Sequence, residues 1–351
     1  MTITRIERYR QHLETAAHRF LLPSIHRGVN FASPVWRAED VTMRAMTNVH
    51  ALGIGFKRVA GAELAGEVCL RFFVIQKLPD ESIAPEFHIP KIWEGLPTDV
   101  IETPTALLGL TSVDDRRQCE STNDPIRPLQ SGIAIAPPGS QGFGAIGWFC
   151  RSNASGEGND RFLLSNWHVL TKYGAAAPPA LVRQPPGSPN PGKTIAHLHR
   201  AATVLPGAAH SNLCDAAIAK LANGVGFELT VRGIGAIGGS ISPPSIHQRV
   251  QKRGPQSCLS TGRISDFPYI TSVSAGREHS PTYLFIDQMR IEAEVGSEFS
   301  VGGDSGSLVL EQQTLNPVGL LFAKDNTNSR YSIASPLSTI CEELQIDLIF
   351  S

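Results

Sequence analysis

The stretch GGDSGSLVL, residues 302–310, lies between a polar turn and an apolar run, and its glycines bracket a single serine. Glycine on both sides lets the backbone turn tightly and leaves N–H groups near Ser305, which a nucleophile with an oxyanion hole requires. By itself the segment also reads as a Gly-rich hairpin turn. A serine hydroxyl needs a base. Of the eleven histidines, His168 stands apart because it ends the apolar run Phe162-Leu163-Leu164-Ser165-Asn166-Trp167, where a strand terminus at a rim aims an imidazole into a cleft. The base in turn needs a buried carboxylate to hold its tautomer. Asp215, ahead of Ala216-Ala217-Ile218-Ala219-Lys220-Leu221, has that setting. A packed His168 and a turn-forming Asp215 are the competing readings.

Outward from these residues the pattern is one of short strands. Apolar runs at 132–136, 142–149, 162–167, 216–221, 246–252, 283–286, 306–309 and 318–322 are nearly all bounded by Gly, Pro, Asn or Ser. That is an all-β pattern, a sandwich or a barrel. Before it, apolar residues at three-to-four spacing predict one amphipathic helix over 3–21, ended by Pro23. Strands are expected at 49–59 and 68–75, joined by a hairpin at 61–66, with a third near 99–102. These make a small α/β module with the helix on one face. Residues 111–128 are polar and charge-dense, as a solvated connection is. The division is therefore an N-terminal domain with its connection at 1–128 and a β domain at 129–351. The Pro/Ala/Gly-rich loop 175–192 is long enough to serve function.

Composition narrows the partners. The 351 residues carry 31 Lys+Arg against 32 Asp+Glu, a formal charge of −1, which gives no electrostatic reason to expect nucleic acid or an anionic membrane. A protein or small-molecule partner fits better. The N-terminus lacks the apolar core of a secretory signal, so the cytoplasm is the expected compartment. Six cysteines without a CxxC pair read as reduced, mostly buried thiols. His197 and His199 share a strand face and could form a metal pair, but no matched third ligand lies nearby, so a metal site there is not expected.

The order His168, Asp215, Ser305 leads to a family. LLSNWHVL, CDAAIAKL and GGDSGSLVL together resemble the His, Asp and Ser motifs of chymotrypsin-like (trypsin-fold) serine proteases. RPLQSGIAIA, VQKRGPQSCLSTGRI, GIGFKRVAG and IPKIWEGLPTDVIE look like the intracellular trypsin-like group that includes bacterial members and the plant narrow-leaf protein. The resemblance implies a mainly β chain, a chymotrypsin-like double β-barrel behind the small α/β domain, with the cleft between two six-stranded barrels. It implies a serine endopeptidase in which His168 is the base, Asp215 orients it, and the N–H groups of Gly303 and Ser305 form the oxyanion hole.

By the same resemblance Phe299 lies near the base of the substrate pocket, and Phe322, Ala323 and Lys324 line one wall. Apolar or small residues are expected before the scissile bond. Lys252, or Arg253 beside it, is the expected cationic partner of Asp304. A cytosolic protease needs restricted access, through a narrow cleft, a homo-oligomer or activation by a regulatory partner at the N-terminal domain. The alternative to an enzyme is a catalytically silent peptidase-like binding or scaffold protein.

Overall fold

The computed structural model describes residues 3–23, 48–59, 62–108, 119, 124–158, 160–186, 188, 190, 193–275, 281–326 and 330–350. Most of the connection 111–128, part of the loop 175–192 and the first residue of the 61–66 hairpin lie outside them. Helix α1 (Ile3–Ala16) runs on through a wider turn at Ala17–Leu21. It buries the face its spacing predicts: Tyr9, Leu13, Ala16, Phe20 and Leu21 pack with Leu52, Ile54, Leu70 and Phe72. Those four come from β1 (Val49–Val59) and β2 (Ala62–Val74), an antiparallel pair. After β3 (Ile92–Trp93), β4 (Leu96–Glu102) runs parallel to β2, so the third strand is present and starts earlier than expected. A short strand, β5 (Ala106–Leu108), follows.

The next segment opens with β6 (Leu129–Ser131), β7 (Ala134–Ile135), β8 (Gly144–Ala145), β9 (Trp148–Ser152) and β10 (Phe162–Ser165). One turn of helix, α2 (Trp167–Leu170), precedes β11 (Leu181–Arg183), β12 (Thr194–Ala201) and β13 (Gly207–Asn212). Then come β14 (Ala217–Leu221), β15 (Phe227–Val231) and β16 (Gly235–Ala236). The last third holds β17 (Arg249–Gly254), β18 (Cys258–Ser274), β19 (Thr282–Ala293), β20 (Leu308–Glu311), β21 (Pro317–Asp325) and β22 (Tyr331–Pro336). Helix α3 (Leu337–Leu344) and β23 (Ile346–Leu348) end it.

The chain is mainly β, and the expected pair of six-stranded barrels needs a correction. Hydrogen-bonded pairings run in a ring, β17–β18–β19–β22–β21–β20 and back to β17. The preceding half does not close. Its main sheet is an open path, β11-β12-β14-β10-β9-β23, with β6-β15-β16 and β7-β8 as separate small sheets. Pro137 and Pro138, between β7 and β8, lack the N–H groups a continuous ladder needs. The two halves nonetheless share one core, in which Trp148, Leu164 and Ile218 meet Phe285, Leu320 and Phe322.

Two further findings depart from expectation. The free edge of β1 pairs antiparallel with β18, Ala51 opposite Thr271, so the N-terminal strands extend the ring's sheet rather than forming a separate one. With 17 residues β18 outruns the ring, and its buried far half takes β1 as a neighbour. The cysteines are not all reduced: Cys119 and Cys258 form a disulfide across 139 residues, a pairing that spacing alone does not reveal. Cys69, Cys150 and Cys214 are buried thiols and Cys341 is half-buried. Burial pushes the Cys69 and Cys341 thiols up to about 12.

Candidate active site

Ser305 sits in a turn that only glycine permits at two positions. Gly303 and Gly306 have φ of 92° and 90°, a region closed to most side chains. A Cβ on Gly303 would also come within 2.8 Å of Gln256 and 2.9 Å of Phe143. The turn is fixed to the other half of the molecule through one residue. Ala145 donates its N–H to the Ser305 carbonyl at 2.7 Å and accepts the Ser165 hydroxyl on its own carbonyl at 2.7 Å. Ser165 ends β10, three residues before His168. The Ser305 side chain is 3% exposed and donates a long bond, 3.4 Å, to the Phe322 carbonyl.

His168 lies in the first turn of α2, just past β10, rather than on the strand's last residue. Its Nδ1 is 2.5 Å from Asp215 Oδ2, and its backbone N–H donates to Asp215 Oδ1 at 3.1 Å. Both side chains are fully buried. With Nδ1–H committed to the carboxylate, the second ring nitrogen is left with its lone pair. That atom, Nε2, is buried and has no hydrogen-bond partner among the described residues. Asp215 precedes β14 by two residues and is held from the main chain as well: Asn166 Nδ2 donates to its carbonyl at 2.7 Å, and its N–H reaches Ser335 Oγ at 3.4 Å. Asn166 and Ser335 were not singled out in the sequence, because a short polar side chain ahead of a helix or at a strand end is ordinary there.

Behind the serine, Asp304 faces Lys252, the first of the two expected cations. Lys252 Nζ lies 2.9 Å from Asp304 Oδ2, with both side chains fully buried. The same carboxylate accepts N–H groups from Val301 at 3.0 Å, Gln256 at 3.0 Å and Ser257 at 3.2 Å. Burial alone pushes its pKa up, but Lys252 and these donors outweigh it and hold Asp304 below the usual carboxylate range. For Lys252 burial dominates and lowers its pKa, with Asp304 opposing. A buried charge paired and bonded in this way ties the chain just before Ser305 to residues 252–257. Backbone donors such as those of Gln256 and Ser257 carry no side-chain signature, so they were invisible in the sequence.

No family model and no curated protein matches the chain. Solved structures do. The chain is similar to the chymotrypsin of Cellulomonas bogoriensis, at 15% identity over 64% of this chain and 99% of that one, with a TM-score of 0.44. It is similar to a glutamic-acid-specific serine protease described as using a histidine triad in substrate binding, at 16% identity, 63% and 100% coverage, and a TM-score of 0.45. For Thermobifida fusca protease A the values are 12%, 64% and 99%, and 0.44. These neighbours are chymotrypsin-like serine proteases.

The residues expected around a substrate pocket fall in two places. Phe299 is fully buried in the ring's core with Val250, Ile264 and Val309, and its carbonyl accepts the Ser260 hydroxyl at 2.6 Å. It is a core residue. Phe322, Ala323 and Lys324 follow one another on β21 beside Ser305, and the first two are also buried. Lys324 Nζ turns to the Asp325 carbonyl at 3.1 Å. A cavity of about 500 Å³ opens on the His168 side, lined by Gln141, Val169, Lys172, Tyr173 and Tyr283 among others. The Tyr173 ring tilts over His168 at 5.5 Å between centroids. No three His, Cys, Asp or Glu side chains converge as a metal site among the described residues; His199 Nε2 is bonded to Glu157 at 2.9 Å. No described helix is long and apolar enough to cross a membrane.

Proposed function

We propose that the protein is a serine endopeptidase that works through His168, Asp215 and Ser305 and an acyl-enzyme. The observation that carries this reading is the buried 2.5 Å contact between His168 Nδ1 and Asp215 Oδ2, linked to the turn that carries Ser305 by Ala145, which bonds both the Ser305 carbonyl and the hydroxyl of Ser165, three residues before His168. Asp215 accepts Nδ1–H and fixes the tautomer, so Nε2 is the basic atom. The Ser305 hydroxyl turns from the Phe322 carbonyl to Nε2, gives up its proton there, and Oγ bonds to the peptide carbonyl carbon. N–H groups of Gly303 and Ser305 take the negative charge on the carbonyl oxygen. The imidazolium then protonates the departing amine as the C–N bond breaks. Water attacks the ester, loses its proton to Nε2, and Ser305 is restored.

The substrate class is a peptide or protein, taken in extended form along the β21 edge that begins at Phe322. The buried, apolar character of Phe322 and Ala323 supports small or apolar side chains before the scissile bond. Cleavage-site profiling in a lysate tests the function: new peptide termini are expected with the wild type, enriched in such residues, and none above background with Ser305→Ala. Equal sets of termini from the two proteins would overturn the reading.

A further inference from the structure

Strand β5 is only three residues long, yet it pairs on both sides. It lies antiparallel to β21, with Leu108 opposite Ala323, Leu107 opposite Lys324 and Ala106 opposite Asp325. On its other side it runs parallel to β18, with Ala106 opposite Val273. Its start is tied down by Asn326, whose N–H reaches the Thr105 carbonyl at 3.0 Å and whose Nδ2 reaches Thr105 Oγ1 at 3.0 Å. Ala106 and Leu108 are 7% and 4% exposed and sit in the core that holds Phe285, Phe322 and Ala323; Leu107, on the opposite face, is half-buried.

The direction of this pairing matters. From Asp325 to Ala323 the β21 edge approaches Phe322, whose carbonyl accepts the Ser305 hydroxyl. Antiparallel to it, β5 advances from Ala106 to Leu108 toward that same point. An extended peptide presenting a carbonyl to Ser305 would use the free edge of the strand beside it, because main-chain pairing holds a peptide straight and alternate side chains supply specificity. That edge is taken. One strand edge cannot pair with two partners, so a peptide arriving there must displace β5.

We propose that β5 is the resident occupant of the β21 edge over Ala323–Asp325, the edge along which the proposed function lays its substrate, and that this stretch of the chain's own N-terminal region closes the edge until displaced. The partner it fits is an extended peptide with small or aliphatic side chains two residues apart, entering the core beside Phe322 and Phe285 as Ala106 and Leu108 do. The consequence for catalysis rests on Ser305 being the nucleophile; the occupancy itself does not.

Occupancy is therefore measured without catalysis, in full-length Ser305→Ala, using fluorescence anisotropy of a labelled Thr-Pro-Thr-Ala-Leu-Leu peptide, the sequence of residues 103–108. The apparent affinity of an edge that is open only part of the time falls by the open fraction. Adding Leu107→Pro, which removes a ladder N–H at a half-buried position, is expected to tighten binding by about tenfold or more. Thr105→Val, which keeps shape and loses the Asn326 Nδ2 bond while leaving the main-chain one, guards against misfolding of the proline variant; it is expected to tighten binding by about threefold, with faster amide exchange at 106–108. Unchanged affinity in a folded Thr105→Val or Leu107→Pro protein overturns the proposal. In the protein with Ser305 restored, a fluorophosphonate probe reports the nucleophile separately. Absent labelling with tightened peptide binding refutes the protease reading and keeps the occupied edge.

Discussion

At the residue scale the site is built on two buried pairs, His168 with Asp215 and Lys252 with Asp304. Asp215→Asn keeps the shape but reverses the hydrogen bond to Nδ1, so Nε2 carries the proton; kcat on a peptide substrate is expected to fall about 10⁴-fold with little change in Tm. A fall below tenfold would contradict the assigned tautomer. Lys252→Met leaves the Asp304 charge buried without its cation, a loss of about 3–5 kcal/mol that denaturant unfolding would register. Combining it with Asp304→Asn is expected to recover most of that stability; no recovery would mean that the pair does not act as a unit. These residues were legible because each motif pairs a chemical group with a setting: GGDSGS supplies a turn, LLSNWH a strand end, VQKRG a cation. For Phe299, counting back from Ser305 fixes a position in the chain but not the surroundings of its ring, which packs in the ring's core with Val250, Ile264 and Val309.

At the element scale, β2 reaches side chains of the ring through the buried Arg71–Asp266 pair and through Glu63. Its carboxylate lies 3.0 Å from Arg58, 2.8 Å from His247 and 3.2 Å from Arg263 on β18. Burial raises its pKa, but hydrogen bonds from Arg58 and His247 and the charge of Arg263 prevail, leaving it at about 2 against an ordinary 4.5. A carboxyl whose folded pKa is depressed stabilises the fold above its unfolded value, and that stabilisation drains away as pH falls from 4.5 toward 2. Thermal melts across this window are expected to show a decline that Glu63→Gln flattens; parallel curves for the two proteins would refute the linkage. Helix α1 and strand β1 were readable from periodicity, whereas β2 was readable only over its apolar half, because residues 62–66, expected as the connecting hairpin, belong to the strand, and β4 only over its last residues. The joining of β1 to β18 was not readable, because an edge pairing between distant strands needs only open main-chain groups and leaves no mark in either strand's pattern. The Cys119–Cys258 bond was hidden for a related reason: proximity across 139 residues is a product of the fold. Intact-mass alkylation in denaturant without reductant should modify four cysteines, and all six after reduction; six in both would rule out the disulfide.

At the scale of the whole molecule, a division at 128 cuts through continuous structure as well as a connection. Removing residues 1–128 takes β1 from β18 and β5 from β21, and uncovers Ile270 and Leu284, which pack with α1 and β1. The fragment 129–351 is expected to aggregate or to melt well below the full chain, since bare strand edges and apolar faces invite association. A monomeric fragment as stable as the parent would show that the N-terminal strands are dispensable. The enzyme assignment itself turns on whether one serine, out of all those in the chain, has been made a nucleophile. Intact-mass and peptide analysis after fluorophosphonate treatment tests that most directly. A single adduct on Ser305, lost in Ser305→Ala and in His168→Ala, is the predicted result; an adduct elsewhere, or equal labelling of wild type and His168→Ala, would contradict it.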